Sequence, residues 1–189
     1  MDDIVKAAMA KWPSVPHCHG WLGLDARGQW YMRDDRCQAG GPFAAEPGET
    51  RPPCKGALLR HDKLIEFIQR NCAADEEGQW YFQNGPQRVY LELEATPFVW
   101  RLQSDGRVLA HTGQEAGVIR RCLLDELGRV YLVTALGIGI VHSADMLLAG
   151  DAVERGDWAP EPVMASELPG TWGFVRSPQR RAGPPPWQP

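Results

Sequence analysis

Asp75-Glu76-Glu77-Gly78-Gln79-Trp80-Tyr81 is the stretch that decides how the chain is read. It recurs upstream as Asp25-Ala26-Arg27-Gly28-Gln29-Trp30-Tyr31 and downstream as Asp125-Glu126-Leu127-Gly128-Arg129-Val130-Tyr131. The shared pattern is Asp-x-x-Gly, then Gln or Arg, then Trp or Val, then Tyr. Each part has a physical role. Asp hydrogen-bonds the backbone ahead of it, Gly takes a positive φ, and an aromatic or β-branched pair starts an extended strand. The pattern therefore predicts three bends that launch strands. It carries no chemistry of its own. Only these few residues recur, and the material between copies differs, so one good turn used three times is favoured over a repeat architecture. A remnant duplication of a hairpin unit stands as the alternative.

Outward from the central bend the signals are those of a sheet. Arg88 to Glu94 alternates, with Val89, Leu91 and Leu93 on one face and Arg88, Tyr90, Glu92 and Glu94 on a face expected to be wet. Ser104-Asp105-Gly106 joins Phe98–Leu102 to Arg107–His111 as a hairpin. Val118 to Leu124 and Arg129 to Thr134 flank the third bend, and Ile138 to Val141 forms a last short strand. His17 to Leu24 and Trp30 to Arg33 make the first hairpin. Two helices are expected. One runs to about Trp12 and buries Ile4, Val5, Ala8, Met9 and Trp12. The longer one spans Ala57 to Cys72, with a buried stripe of Leu64, Ile65, Ile68 and Cys72. The predicted class is α+β: an antiparallel meander of about 7–9 strands carrying both helices. Its single domain spans residues 1–177, with 34–56 as a Gly/Pro-rich surface loop and 178–189 as a disordered tail.

Composition narrows the function classes. The chain has 189 residues, 43% of them hydrophobic, and a net charge of −4 spread without blocks. That balance disfavours nucleic acid, whose binders show a basic stripe. No stretch is long and apolar enough for a membrane span or a secretory signal. The expectation is a cytoplasmic protein whose five cysteines are reduced thiols, with Cys72 and Cys122 as core fillers.

The candidate sites are few. His17-Cys18-His19 is the densest group of potential ligands, and Cys37 or Cys54 stands ready to complete a zinc set. A cysteine-nucleophile site would draw on Cys18, His111 or His142, and Asp145, but no spacing selects them. Gly137-Ile138-Gly139 lacks the features of a phosphate loop. Glu92 and Glu94 share a strand face, which reads as solvated. Trp172, Phe174 and Val175 form an apolar segment expected to dock, either on the chain's own edge strand or on a partner.

Two segments, Lys11 to Asp25 with Trp12-Pro13-Ser14-Val15-Pro16-His17-Cys18, and Gly78 to Tyr90 with Gln79-Trp80-Tyr81-Phe82-Gln83-Asn84-Gly85-Pro86, resemble a family of uncharacterised proteobacterial proteins known as a domain of unknown function. The resemblance covers about residues 1–178. The family has Tyr where this chain has His19, and the loop 38–56 is longer here. It implies a bacterial cytosolic origin and adds no catalytic residue. The expected function is a soluble bacterial binding or interaction module without catalysis, with no cofactor, acting on a protein partner or on itself. The alternative is a small metal-dependent or cysteine-based enzyme using His17-Cys18-His19.

Overall fold

The three bends form as their sequences require. Gly28, Gly78 and Gly128 take φ of 75°, 77° and 73°, and the aspartate at each start accepts the amide four residues on, at 2.8 Å in all three. In each the same Asp amide also donates to that residue's carbonyl at 3.0 Å, which closes the bend and sets the strand register. The computed structural model describes residues 1–45 and 48–182. They form two compact units. The first comprises Met1–Asp25, Gln29–Glu94 and the chain from Val175 onward; the second comprises Ala26–Gly28 and Ala95–Phe174.

The first unit runs α1 (Asp3–Lys11), β1 (Cys18–Leu24), β2 (Trp30–Met32), α2 (Asp35–Gly40), β3 (Ala57–Leu58), α3 (Asp62–Arg70), β4 (Cys72–Ala74), β5 (Trp80–Asn84) and β6 (Gln87–Leu93). Its sheet has the order β3-β2-β1-β6-β5-β4. The second unit runs β7 (Phe98–Leu102), β8 (Val108–Ala110), β9 (Arg121–Asp125), β10 (Val130–Val133), β11 (Ile138–Val141), α4 (Met146–Glu154), β12 (Pro160–Val163) and α5 (Leu168–Trp172). Its sheet has the order β12-β9-β10-β11-β7-β8. The last helix, α6 (Pro178–Ala182), belongs to the first unit.

The α+β class holds, but the single antiparallel meander does not. Two six-stranded sheets are present, and both are mixed. β1 runs parallel to β6, β7 to β11, and β9 to β12. Hairpin signals report neighbours in sequence. A parallel pairing between strands some seventy residues apart leaves no local trace.

The sheets share a topology. In each, a hairpin (β1–β2 or β7–β8) joins a three-strand meander (β4–β5–β6 or β9–β10–β11), and the first strand of the hairpin lies parallel to the last of the meander. The registers agree as well. Tyr81 faces Tyr90 and Tyr131 faces Ile140; Leu22 then faces Leu91 and Trp100 faces Val141. This superposition places Gln103 where Asp25 stands. The Gln103 amide bonds the Arg107 carbonyl at 2.9 Å, so a fourth bend of the same geometry exists without the aspartate.

Several elements depart from the sequence reading. The long helix is shorter, because Ala57–Leu58 pairs with β2 as a strand. Within its stripe Ile68 is buried while Leu64 is exposed. In α1 only Val5 is buried; Ile4 and Trp12 lie open, with the Lys11 ammonium over the Trp12 ring at 4.5 Å. Asp34 caps α2 by accepting the Cys37 amide at 2.7 Å, so the 34–56 segment is not wholly loop. Cys37 and Cys54 are joined as a disulfide rather than kept as thiols. Pro178–Ala182 is helical where a disordered tail is expected; residues 183–189 lie outside the described ones.

The face of β6 expected to be wet is covered. Tyr90 and Glu92 are buried. His17 and His19 lie against Tyr90, Ser177 and Gln179 bond Glu92, Phe43 packs beside them, and two glycines of β1 make the close approach possible. A Cβ on Gly20 would sit 2.4 Å from the Gln179 side chain, and one on Gly23 would sit 2.4 Å from the Phe43 ring. In the second sheet Gly139 has the same role: a Cβ there would meet the Trp100 indole at 2.4 Å. The Gly-Ile-Gly run thus admits an aromatic side chain.

Candidate functional site

The hairpin β7–β8 and helix α4 frame a cleft in the second unit. Leu102 ends β7, the bend Gln103–Gly106 reverses the chain, and Arg107 leads into β8, which Val108 begins. Leu148 and Ala152 come from α4, and Arg155, Asp157 and Trp158 follow it. The volume is about 270 Å³, just under the roughly 300–1,000 Å³ of typical small-molecule sites. It would take a compact ligand.

The wall is fixed by Asp145, which precedes α4. Its carboxylate accepts Arg101 Nε at 2.7 Å and the buried Leu102 amide at 3.1 Å, tying the helix entry to β7. Burial alone would raise the Asp145 pKa. The hydrogen bonds from Arg101 and Leu102 and the Arg101 charge outweigh it, and the carboxyl is held below its ordinary range. The floor is apolar: Leu102, Val108 and Ala152 are buried. The rim carries two arginines, each paired with an aspartate. Asp105 holds Arg107 through Nε at 2.8 Å, and Asp157 holds Arg155 through Nε at 2.9 Å. Among the described residues no hydrogen-bond acceptor engages the terminal NH₂ groups of either guanidinium. Each arginine is oriented while its fork stays available, which is the geometry that grips a carboxylate or phosphate.

The residues singled out in the sequence lie elsewhere. His19 stacks on the Tyr90 ring at 4.5 Å, and His17 meets the same ring edge-on at 5.9 Å. Burial, then the neighbouring His17 charge, lowers the His19 pKa. Burial pushes the Cys18 thiol up, away from the thiolate a nucleophile needs. Cys37 and Cys54 are bonded to each other. Among the described residues no three of His, Cys, Asp or Glu converge where a metal ion could be held. The residues offered with Cys18 for nucleophilic catalysis have other partners. His111 Nδ1 accepts the Val99 amide at 3.3 Å, His142 Nδ1 accepts the Ala144 amide at 3.0 Å, and Asp145 holds Arg101. Glu92 accepts the Ser177 hydroxyl at 2.5 Å and the Gln179 amide at 3.0 Å, whereas Glu94 takes the Lys55 ammonium at 2.8 Å.

Trp172 ends α5 with the Arg121 guanidinium over its ring at 5.3 Å, and Phe174 is buried. The Val175 amide bonds the Gly78 carbonyl at 3.0 Å, and the Leu93 amide bonds the Arg176 carbonyl at 2.8 Å. That segment therefore docks on its own chain. Sequence reasoning missed the cleft. Ser104-Asp105-Gly106 was legible as a turn, but Arg155 and Trp158 lie in a stretch without periodicity, and only the tertiary fold brings them to it.

No helix among the described residues is long and apolar enough to cross a membrane. A family model described as "Protein of unknown function (DUF2946)" matches residues 1–179. No curated protein matches the chain. Among solved structures the chain is similar to a DUF1285 family protein from Silicibacter pomeroyi, with 13% identity and a TM-score of 0.48 over 73% of this chain and 72% of that one.

Proposed function

The chain belongs to the family described as "Protein of unknown function (DUF2946)", and within that family we propose that it is a binding module without catalysis whose ligand site is the cleft beside the Gln103–Arg107 bend. The ligand has a compact apolar body and one anionic group. The observation that carries this reading is the pairing of an apolar floor with two arginines oriented through Nε and open at their forks. The thiols support the non-catalytic part. Burial lifts Cys72 to about 12 and Cys122 to about 11, so neither supplies a nucleophile near neutrality.

The test is a binding screen on the full chain. Benzoate and phenyl phosphate are the probes, with acetate and inorganic phosphate as controls lacking the apolar body. Ligand-observed NMR and thermal shift are the readouts. The aromatic anions should bind and the controls should not. Arg107→Gln with Arg155→Gln should abolish that binding while leaving the melting temperature of the free protein nearly unchanged. Binding that survives the double substitution, or saturation by none of the probes, would sink the proposal.

A further inference from the structure

The Cys37–Cys54 pair in the first unit lies far in sequence from the cleft residues. Its two ends converge on one side chain of the C-terminal helix. At one end, Gln38, next to Cys37, accepts the Gln179 side-chain amide at 2.8 Å. At the other, the Cys54 carbonyl accepts Arg33 Nε at 3.0 Å, and Arg33 NH1 donates to the Gln179 side-chain Oε1 at 3.1 Å. The same buried guanidinium holds the Gly41 carbonyl at 2.6 Å, where the bridged loop leaves α2, and the Gly20 carbonyl of β1 at 3.2 Å. Arg33 is only 1% exposed. Its orientation is thus shared by the strand, the bridged loop and α6. A change at the disulfide reaches all three.

The sulfurs are placed asymmetrically. Cys37 is buried, and Cys54 is partly exposed. An incoming thiolate can reach Cys54, with Cys37 as the leaving sulfur. The Cys37 sulfur lies 2.9 Å from the Cys54 carbonyl. Once released, the Cys37 thiol has a hydrogen-bond acceptor already in place, so the reduced state is not left with a buried orphan donor.

We propose that Cys37–Cys54 is a reversible redox-modification site, exchanging with low-molecular-weight thiols of the glutathione class at Cys54, and that it acts as the clasp holding residues 48–56 and α6 against β1. The step balances. A glutathione thiolate attacks the Cys54 sulfur, the disulfide breaks, and Cys37 departs as a thiolate that takes a proton. A second glutathione thiolate attacks the glutathione sulfur of the mixed disulfide. Cys54 leaves and is protonated, and oxidised glutathione forms. Two electrons pass from two glutathiones to the bridge.

The test uses the full chain equilibrated in glutathione buffers of graded ratio, followed by alkylation and peptide mass spectrometry. Cys37 and Cys54 should pass together from blocked to alkylated as the buffer becomes reducing. Cys18 should be alkylated at every ratio. Hydrogen exchange on the two end states should show amides of 48–56 and 178–182 exchanging at least about tenfold faster in the reduced form, with β9 to β11 unchanged. In Cys37→Ser, oxidised glutathione should add readily at Cys54, read by peptide mapping; in Cys54→Ser it should add poorly at the buried Cys37. The proposal is overturned if Cys37 and Cys54 titrate separately or never form the bridge. It is equally overturned if reduction leaves exchange in 48–56 and 178–182 unaltered, or if glutathione prefers Cys37.

Discussion

At the residue scale the bend aspartates bind more than backbone. Asp125 accepts the Leu127 and Arg129 amides at 3.0 and 2.8 Å, Arg129 Nε at 2.6 Å and the Tyr131 hydroxyl at 2.9 Å. The Tyr six residues on is therefore part of the motif, reaching back to the carboxylate that starts the bend. Asp25 and Tyr31 repeat the contact at 3.4 Å, while Asp75 takes Tyr90 from the neighbouring strand at 3.3 Å. Asp125 is 5% exposed, whereas Asp75 is less buried. Hydrogen bonds to charged groups are worth about 1.5–3 kcal/mol each, and losing one partner strands the others. Asp125→Ala should therefore cost about 2–4 kcal/mol in urea unfolding and Asp75→Ala about 1–2 kcal/mol. Equal costs would mean that the Arg129 guanidinium and the deeper burial of Asp125 contribute nothing. His111 gives a second residue-scale prediction. Burial lowers its pKa to about 4 from an ordinary 6.5. The unfolded chain then binds the proton more readily than the folded one between those values. Stability present above pH 6.5 should fall as pH drops toward 4, by up to about 1.4 kcal/mol per pH unit. His111→Asn should flatten that part of the pH profile of unfolding; an unchanged slope would assign it to other groups.

At the element scale, α6 shows what one short helix contributes when it seals a buried charge. Glu92 is 2% exposed and accepts the Ser177 hydroxyl and the Gln179 amide. Ending the chain after Arg176 removes both donors and opens the Arg33 contact. Leaving a buried acceptor without its donors costs about 1–3 kcal/mol for each, so this truncation should lower the urea midpoint sharply. A loss under about 1 kcal/mol would mean that water replaces the helix without penalty. This element also marks the limit of what was legible. The bends, the strands between them and the hairpin partners could be read because each is encoded within a dozen residues. Burial of Glu92 could not: alternation in β6 shows two faces but not that a segment eighty residues on covers the polar one. The cover did leave a trace in Gly20 and Gly23, two side-chain-free positions in a strand otherwise rich in large residues. The cleft was legible only in its turn, since its second arginine arrives through the fold of α4. The outer strand β12 carries Pro160 and Pro162, and two missing amide donors blunt it as a template for another chain.

At the scale of the whole molecule, the common topology explains why the bend recurs and why the recurrence looked incomplete. The Asp75 and Asp125 bends occupy the same place in their two sheets, between the first two strands of the meander. The Asp25 bend has its counterpart at Gln103, where the aspartate is absent and the backbone bond remains. Between β2 and β4 the first unit inserts α2, β3 and α3; between β8 and β9 the second has only a short connection. With connections of such different length, the two units do not recur at a fixed spacing along the chain. The two units also differ in how the chain supplies them. The second draws its whole sheet from the continuous stretch 95–174, and its core, including Val99, Trp100, Leu123, Tyr131, Leu132 and Ile140, lies within that stretch. The first needs both ends, because α6 must return to cover Glu92. A fragment of residues 95–174 should therefore fold alone, giving dispersed amide resonances and one cooperative melt. A fragment of 1–94, lacking α6, should be much less stable or unfolded. If 95–174 instead shows collapsed amide dispersion with no melting transition, its core depends on contacts outside the stretch, and the second unit is not an independent domain.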